Sequence, residues 1–209
     1  NMRVDGNKTN NVGATGHLLI NVASIAYPVL ENITASESAV YGMFTDSNTH
    51  GGVFRNVVVT TCQNLGIAVA GCDTTKVPNM YIGCKAISNG AEGFSISSHG
   101  SILIGCASDS NTYNYTVATN PYNQLIGCKS RNASIGFYLL SVNKTQVIGC
   151  LSNDDATGFQ CASGASNNLI SGCYAYSASA YGFVISGANS NRNHIVGCFS
   201  LENNYGIFQ

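Results

Sequence analysis

Two groups of polar residues have side chains and spacing suited to chemistry. The first is Asp46, His50, Asp73 and His99, with Lys76 among them; His50, Asp73 and His99 stand eight, seven and six residues after the glycines at 42, 66 and 93. If each glycine marks one turn of a repeat, the three would stack on successive turns about 5 Å apart. A carboxylate beside a histidine supplies a general base or an oriented nucleophile. Lys76 could neutralise an anionic sugar. The second group is Lys85, Asp109, Lys129, Arg131, Asp154 and Asp155, which follow a series of cysteines. Asp109 and Arg131 each stand three residues after a cysteine, Cys106 and Cys128. That spacing makes them stacked neighbours and a surface ion pair, worth about 0–1 kcal/mol. Asp109 and Asp154 come out two turns apart, ~9.6 Å, near the upper end of the roughly 6.5–9.5 Å carboxyl separation of inverting glycosidases.

Both groups depend on a scaffold that repeats. Cys62, Cys84, Cys106, Cys128, Cys150, Cys173 and Cys198 are separated by 22, 22, 22, 22, 23 and 25 residues. A Gly, once Asn, followed by an apolar residue recurs at Gly16, Gly42, Gly66, Gly93, Asn114, Gly136, Gly158, Gly182 and Gly206. A period of 20–50 residues marks a solenoid, propeller or array. After the glycine, apolar residues alternate, as in Phe94/Ile96, Phe137/Leu139 and Phe183/Ile185, which is the period of a half-buried strand. A second short strand precedes each cysteine, as in Leu103-Ile104-Gly105 and Val147-Ile148-Gly149. No window carries a 3.6-residue apolar stripe, so helices are not expected. Asn114 in the glycine series is read as a residue that tolerates a left-handed turn.

Such repeats stack as coils of a parallel β-helix, each strand pairing with its counterpart one coil away at ~4.8 Å. Equivalent side chains then form ladders, so each column keeps one chemical type. The expected fold is all-β, a single-stranded right-handed parallel β-helix of about nine coils over residues 1–209, with an internal Cys ladder and a period of 22–25 residues. Propeller blades are longer, and the leucine-rich consensus is absent. Stacked cysteines point the same way and offer no natural disulfide pairing; with no C-x₂-C pair, metal binding is also disfavoured, and the ladder reads as buried free thiols.

Composition removes other classes. Charged residues make up 9% of the chain and the net charge is −1, against nucleic-acid or anionic-membrane capture. No apolar run approaches the ~18 residues of a spanning helix, and 44% hydrophobic residues exclude a disordered segment. The ends read as those of a fragment of a longer chain.

The pattern Ile-Gly-Cys-x₇-Gly-Phe-x-Ile resembles the right-handed β-helix of pectate-lyase-like proteins, where Asn often holds the inward turn position that Cys holds here. The opening Val4-Asp5-Gly6-Asn7-Lys8-Thr9-Asn10-Asn11 is similar to the first coils of bacteriophage tailspikes and tail appendages. The resemblance implies a virion tail component, folded in the bacterial cytoplasm and assembled as a homotrimer, that binds and degrades a bacterial surface polysaccharide or teichoic acid as a glycoside hydrolase or polysaccharide lyase. Two alternatives stand beside it: a catalytically silent receptor-binding fibre shaft, and a secreted bacterial polysaccharide lyase or epimerase. Catalytic candidates are Asp46, His50, Asp73, His99, Asp109 and Asp154; substrate-binding candidates are Lys76, Lys85, Lys129, Arg131 and Tyr138. No cofactor is expected, apart from Ca²⁺, which the pectate-lyase-like resemblance implies Asp46 and Asp73 could hold through oxygen. Phe44, Tyr138, Val184 and Phe208 point outward from the strand after the glycine, where they could stack on sugars or be covered by neighbouring subunits.

Overall fold

Each repeat supplies three short strands, and each strand is too short to bury its apolar face alone. Stacking solves this. In the computed structural model, which describes residues 2–5, 18–70, 72 and 74–208, the strands line up in three parallel sheets. Sheet A has nine strands and follows the cysteines, as at Lys85–Ile87, Ala107–Asp109 and Lys129–Arg131. Sheet B has nine and follows the glycines, as at Glu92–Ser97 and Ile135–Leu140. Sheet C has eight and precedes the cysteines, as at Ile102–Ile104 and Gln146–Ile148. The expected parallel β-helix is the fold, with no helix among the described residues.

Ladders fill the interior. Phe94, Tyr115, Phe137, Phe159 and Phe183 stack along sheet B with ring centroids 4.7–5.0 Å apart. Each such contact adds about 0.5–1.5 kcal/mol to the burial itself. At the corner from sheet C to sheet A, Cys84, Cys106, Cys128, Cys150 and Cys173 are buried, and Cys198 is partly exposed. Each thiol donates to a carbonyl of the preceding coil, as Cys106 Sγ to Tyr81 O at 3.4 Å and Cys150 Sγ to Leu125 O at 3.4 Å. Contact with neighbouring thiols, then burial, pushes Cys106 and Cys150 above the ordinary thiol range. No disulfide joins any of the nine cysteines among the described residues.

Cys62 is not part of this ladder. Val58 pairs with Lys85, so the residue aligned with Cys84 is Val57. Cys62 instead stands at the next corner, where its amide donates to Asn89 Oδ1 at 3.1 Å. The spacing of 22 between Cys62 and Cys84 is a coincidence in a coil whose register offset is 27. The stretch from Asp46 to Val58 contains the sheet C strand Val53–Arg55. The segment between Ala70 and Met80 is a genuine long connection between strands.

Two asparagine-rich ladders hold the other corners. From sheet A to sheet B, Asn89 N donates to Asn111 Oδ1 (2.8 Å), Ala133 N to Asp155 Oδ1 (2.8 Å) and Ala178 N to Asn203 Oδ1 (2.5 Å). From sheet B to sheet C, Gly52 N donates to Asn79 Oδ1, Ser101 N to Asn123 Oδ1 and Thr145 N to Asn168 Oδ1, at 2.8–2.9 Å. These bonds satisfy backbone amides that the ladders of the sheets cannot reach at a turn.

The marker glycines have a different reason from the one expected. None of those described has a positive φ, and neither does Asn114. They are needed because an inward side chain of the following coil, from its sheet A strand or the turn after it, occupies the place of a Cβ: one at Gly93 would lie 2.0 Å from Ser108 Oγ, and one at Gly136 would lie 2.5 Å from Asp155 Oδ2. Asn114 is admitted where the aligned turn residue of the next coil is the small Ala133, and its amide reaches Ser130 Oγ at 2.8 Å. The left-handed positions are the glycines before the cysteines, such as Gly127 at φ +60°.

Candidate functional site

The first group of polar residues does not assemble as expected. Asp73 lies outside the described residues. His50 and His99 do share a column, but Val77 fills it between them, so the two are separated by two coils. Each histidine packs against a tyrosine instead, His50 against Tyr27 with ring centroids 5.6 Å apart and His99 against Tyr122 at 5.1 Å. His50 Nδ1 lies 2.9 Å from Asn48 O. Asp46 is consumed by its own turn: Oδ1 accepts from Ser24 N, Thr49 N and Thr49 Oγ1 at 2.8–2.9 Å, and Oδ2 accepts from Ser24 Oγ at 3.0 Å. Its slight burial acts to raise the carboxyl pKa, but these hydrogen bonds outweigh that and hold it below the ordinary value. Lys76 spans two loops, donating to Asn48 Oδ1 at 3.1 Å. Among the described residues, no group of three or more His, Cys, Asp and Glu side chains is placed to hold a metal ion. Asp46 here is a turn-closing residue.

The second group converges on the outer face of sheet A. In strands of three residues the middle one points inward, as Ser108, Ser130 and Ser152 do, and the flanking two point out. One outward column runs Lys85, Ala107, Lys129, Leu151, Tyr174, Phe199. The other runs Ile87, Asp109, Arg131, Asn153, Tyr176, Leu201. A shallow groove of about 290 Å³ lies between them, lined by Ala107, Asp109, Lys129, Arg131, Leu151 and Asn153, with Ser108 and Ser130 in its floor.

Asp109 and Arg131 are in register, as their spacing from the cysteines required. Arg131 Nη2 and Nε lie 2.5 and 3.1 Å from the same oxygen, Asp109 Oδ2. Partial burial acts to raise the Asp109 carboxyl pKa; hydrogen bonds from Arg131, Ser110 and Asn132 overcome it, and the carboxyl stays below its ordinary range. These bonds favour the ionised form of Asp109. Asp154 is not in its column either, because Asn153 pairs with Arg131 and Asp154 sits one residue further along, in the exposed turn. The stacked pair of carboxylates suited to an inverting glycosidase is therefore not formed.

Asp155, counted from sequence among the surface charges, is fully buried beneath this face. Its Oδ2 accepts from Ser130 Oγ at 2.7 Å and Ser152 Oγ at 2.5 Å. Burial pushes its pKa up to about 6 despite these bonds. Tyr138 lies elsewhere, on the outer face of sheet B against Tyr113 at 5.7 Å.

Sequence reasoning missed the aromatic continuation of the groove. Tyr174 and Phe199 stack at 4.8 Å, and both are about half exposed. They stand one residue after Cys173 and Cys198, the position that Lys85 and Lys129 hold after their own cysteines. The count that found the lysines would have found the rings.

No family model matches the chain, and no curated protein matches it in sequence. Solved structures do match in shape. The A-module of the mannuronan C-5 epimerase AlgE4 from Azotobacter vinelandii superposes with a TM-score of 0.78 at 13% identity, covering 91% of this chain and 60% of the module. The pectate lyase Pel9A superposes with a TM-score of 0.59 at 14% identity, covering 94% of this chain and 68% of the lyase. The chain thus spans about three fifths of the epimerase module. At these identities the likeness is one of fold, the right-handed parallel β-helix.

Proposed function

We propose that this β-helix recognises an acidic polysaccharide laid along the outer face of sheet A. The observation that carries the reading is the groove with Lys129 on one side of it and Arg131 on the other, and the Tyr174–Phe199 stack further along the same face. Among the outward side chains of these strands, Lys85, Lys129 and Arg131 outnumber Asp109, while Asp154 and Glu202 stand in the turns beside the face. Arginine matches carboxylate geometry and aromatic faces stack on sugar rings, so a carboxylated glycan fits both ends. The coil spacing of ~4.8 Å gives such a chain a repeating set of outward side chains. The two structural neighbours are named for action on mannuronan and on pectate, which supports the same substrate class.

The test is calorimetric titration of the chain with hexamers of mannuronate and galacturonate, and with a neutral hexasaccharide as control. Binding of a uronate hexamer that weakens at least tenfold in Lys129→Ala and Arg131→Ala supports the reading. Equal binding of the neutral sugar, or none of either uronate, rejects it. Unsaturated products or changed sugar configuration on incubation would identify a lyase or an epimerase; binding without turnover would identify a recognition module.

A second reading, a fibre shaft assembled through its sides, draws on sheet C. Its outward rows carry Ile82, Ile104, Ile126 and Ile148 with Met80 and Ile102, and no charge over these coils. A trimer in analytical ultracentrifugation, lost in Ile104→Lys/Ile126→Lys, would favour it.

A further inference from the structure

Asp155 is the one charged residue among the described ones that is fully buried, and it lies directly under the groove. The column it occupies holds Asn89, Asn111 and Asn203 in other coils, where a neutral amide does the same work of capping an amide one coil back. A carboxylate in that place is costly unless its charge has a use. Its two oxygens are held by Ala133 N, Ser130 Oγ and Ser152 Oγ. Ser130 sits between Lys129 and Arg131, and Ser152 between Leu151 and Asn153, so all four outward neighbours of those serines line the groove.

From these placements we infer that binding of an anionic glycan in the groove is accompanied by proton uptake at Asp155. This rests on the polysaccharide reading above and adds its regulation. The charged groups around Asp155 are Asp154, next in the chain; Lys129 and Arg131, on the outer side of the adjacent strand; and Asp109, paired to Arg131. On the sheet B side, Gly136 packs against the carboxylate and Tyr115 donates its hydroxyl to Lys129 O at 3.1 Å. With the groove empty, burial and the neighbouring charge of Asp154 raise the Asp155 carboxyl pKa, and the two cations on the outer side of the strand favour its ionised form by Coulomb attraction. An anionic ligand neutralises them and adds its own charge above the strand, so the carboxyl of Asp155 takes a proton more readily. By linkage the effect is reciprocal, and acid conditions tighten binding. A carboxyl pKa of about 6 in the free protein places the transition in an accessible pH range.

The experiment is calorimetric titration of the full chain with mannuronate hexamer at pH 6.5 in two buffers of different protonation enthalpy, repeated at pH 5 and pH 8. Expected are net proton uptake and, for each unit by which the ligand raises the Asp155 pKa, about tenfold tighter binding at pH 5 than at pH 8. Asp155→Asn should bind with no uptake and a flat pH profile, whereas Asp154→Asn should keep both. Binding without uptake, or uptake that persists in Asp155→Asn, overturns the inference and leaves the polysaccharide reading standing. Absence of binding by mannuronate and galacturonate hexamers at every pH removes both. Should Asp155→Asn not fold, carbon-detected NMR titration of the wild-type Asp155 carboxyl with and without hexamer decides: an upward shift supports the coupling, and an unchanged curve overturns it.

Discussion

Arg131 grips a single oxygen of Asp109 across one coil, through Nη2 and Nε together, and the other carboxylate oxygen accepts from Ser110 Oγ and Asn132 Nδ2. The guanidinium is thus partly occupied before any ligand arrives. Asp109→Asn should release it and strengthen uronate-hexamer binding severalfold, while Arg131→Ala weakens it at least tenfold. Because Arg131 is more than half exposed, both changes should leave the denaturation midpoint nearly unchanged. Calorimetry and urea denaturation on the same samples separate the two effects.

Asp155 gives the fold a pH dependence of definite sign. Its folded pKa, about 6, is above the roughly 3.9 of an unfolded aspartate, so folding favours the protonated form. The stabilisation is complete below the unfolded value and is lost as pH rises from there through about 6, on the order of 1–3 kcal/mol. Asp46 and Asp109, held low, act with the opposite sign and lose their contribution as pH falls through their own lowered values. Urea denaturation of wild type and Asp155→Asn from pH 4 to pH 8 isolates the first effect. The variant should gain relative to wild type as pH rises.

Two glycines nine residues apart should respond in opposite ways. Gly127 has φ +60° with open space where a Cβ would stand, and Asn32 and Asn56 hold the aligned positions at φ 57° and 52°. Gly127→Asn should therefore be nearly neutral, and Gly127→Val should cost about 1–2 kcal/mol. At Gly136 the backbone is ordinary but the space is taken by Asp155. Gly136→Ala should cost more than about 2 kcal/mol, in the manner of an overpacked core. Equilibrium denaturation of the three variants checks both statements.

The thiols should divide sharply. Only Cys198 among the nine is not buried, and burial pushes Cys161 up to about 12. A thiol-specific reagent at pH 8 should label about one cysteine per native chain and all nine in denaturant. Rapid native labelling of several would contradict the packing of the ladder.

The sequence carried the fold through its most repetitive column. Five coils in succession keep a Cys, a Gly (once Asn114) eight or nine residues later and an inward aromatic directly after it, because ladder partners must match in size at every step. From that frame the pairing of Asp109 with Arg131 could be counted out in advance. It failed where one chemical type occurs in two columns, as Cys62 does beside Cys84. The corner ladders were hidden for the opposite reason. Their columns mix Asn, Asp, Ala, Ser, Thr and Cys, since the only requirement is an acceptor for one amide, and a small residue can leave it to the next coil. Tyr174 and Phe199 were visible in the numbering but not in a search confined to charges. The burial of Asp155, next to exposed Asp154, depends on which of two adjacent turn residues takes the left-handed conformation, and here Asp154 does, at φ 55°.

The stacking of every coil only on its neighbours also sets how the molecule meets force. Pulled along its axis, a rod of this kind has no internal plane where many coils share the load, so tension falls on the backbone bonds and corner contacts of one terminal coil at a time. Each rupture between Lys85 and Phe199 frees a coil of 22–25 residues, about 75–85 Å of contour at roughly 3.4 Å per residue, and passes the same load to the next. The extension curve is then a staircase of nearly equal steps. A tether anchored at one end would lengthen in these steps while the coils beyond the break kept their outward columns in place.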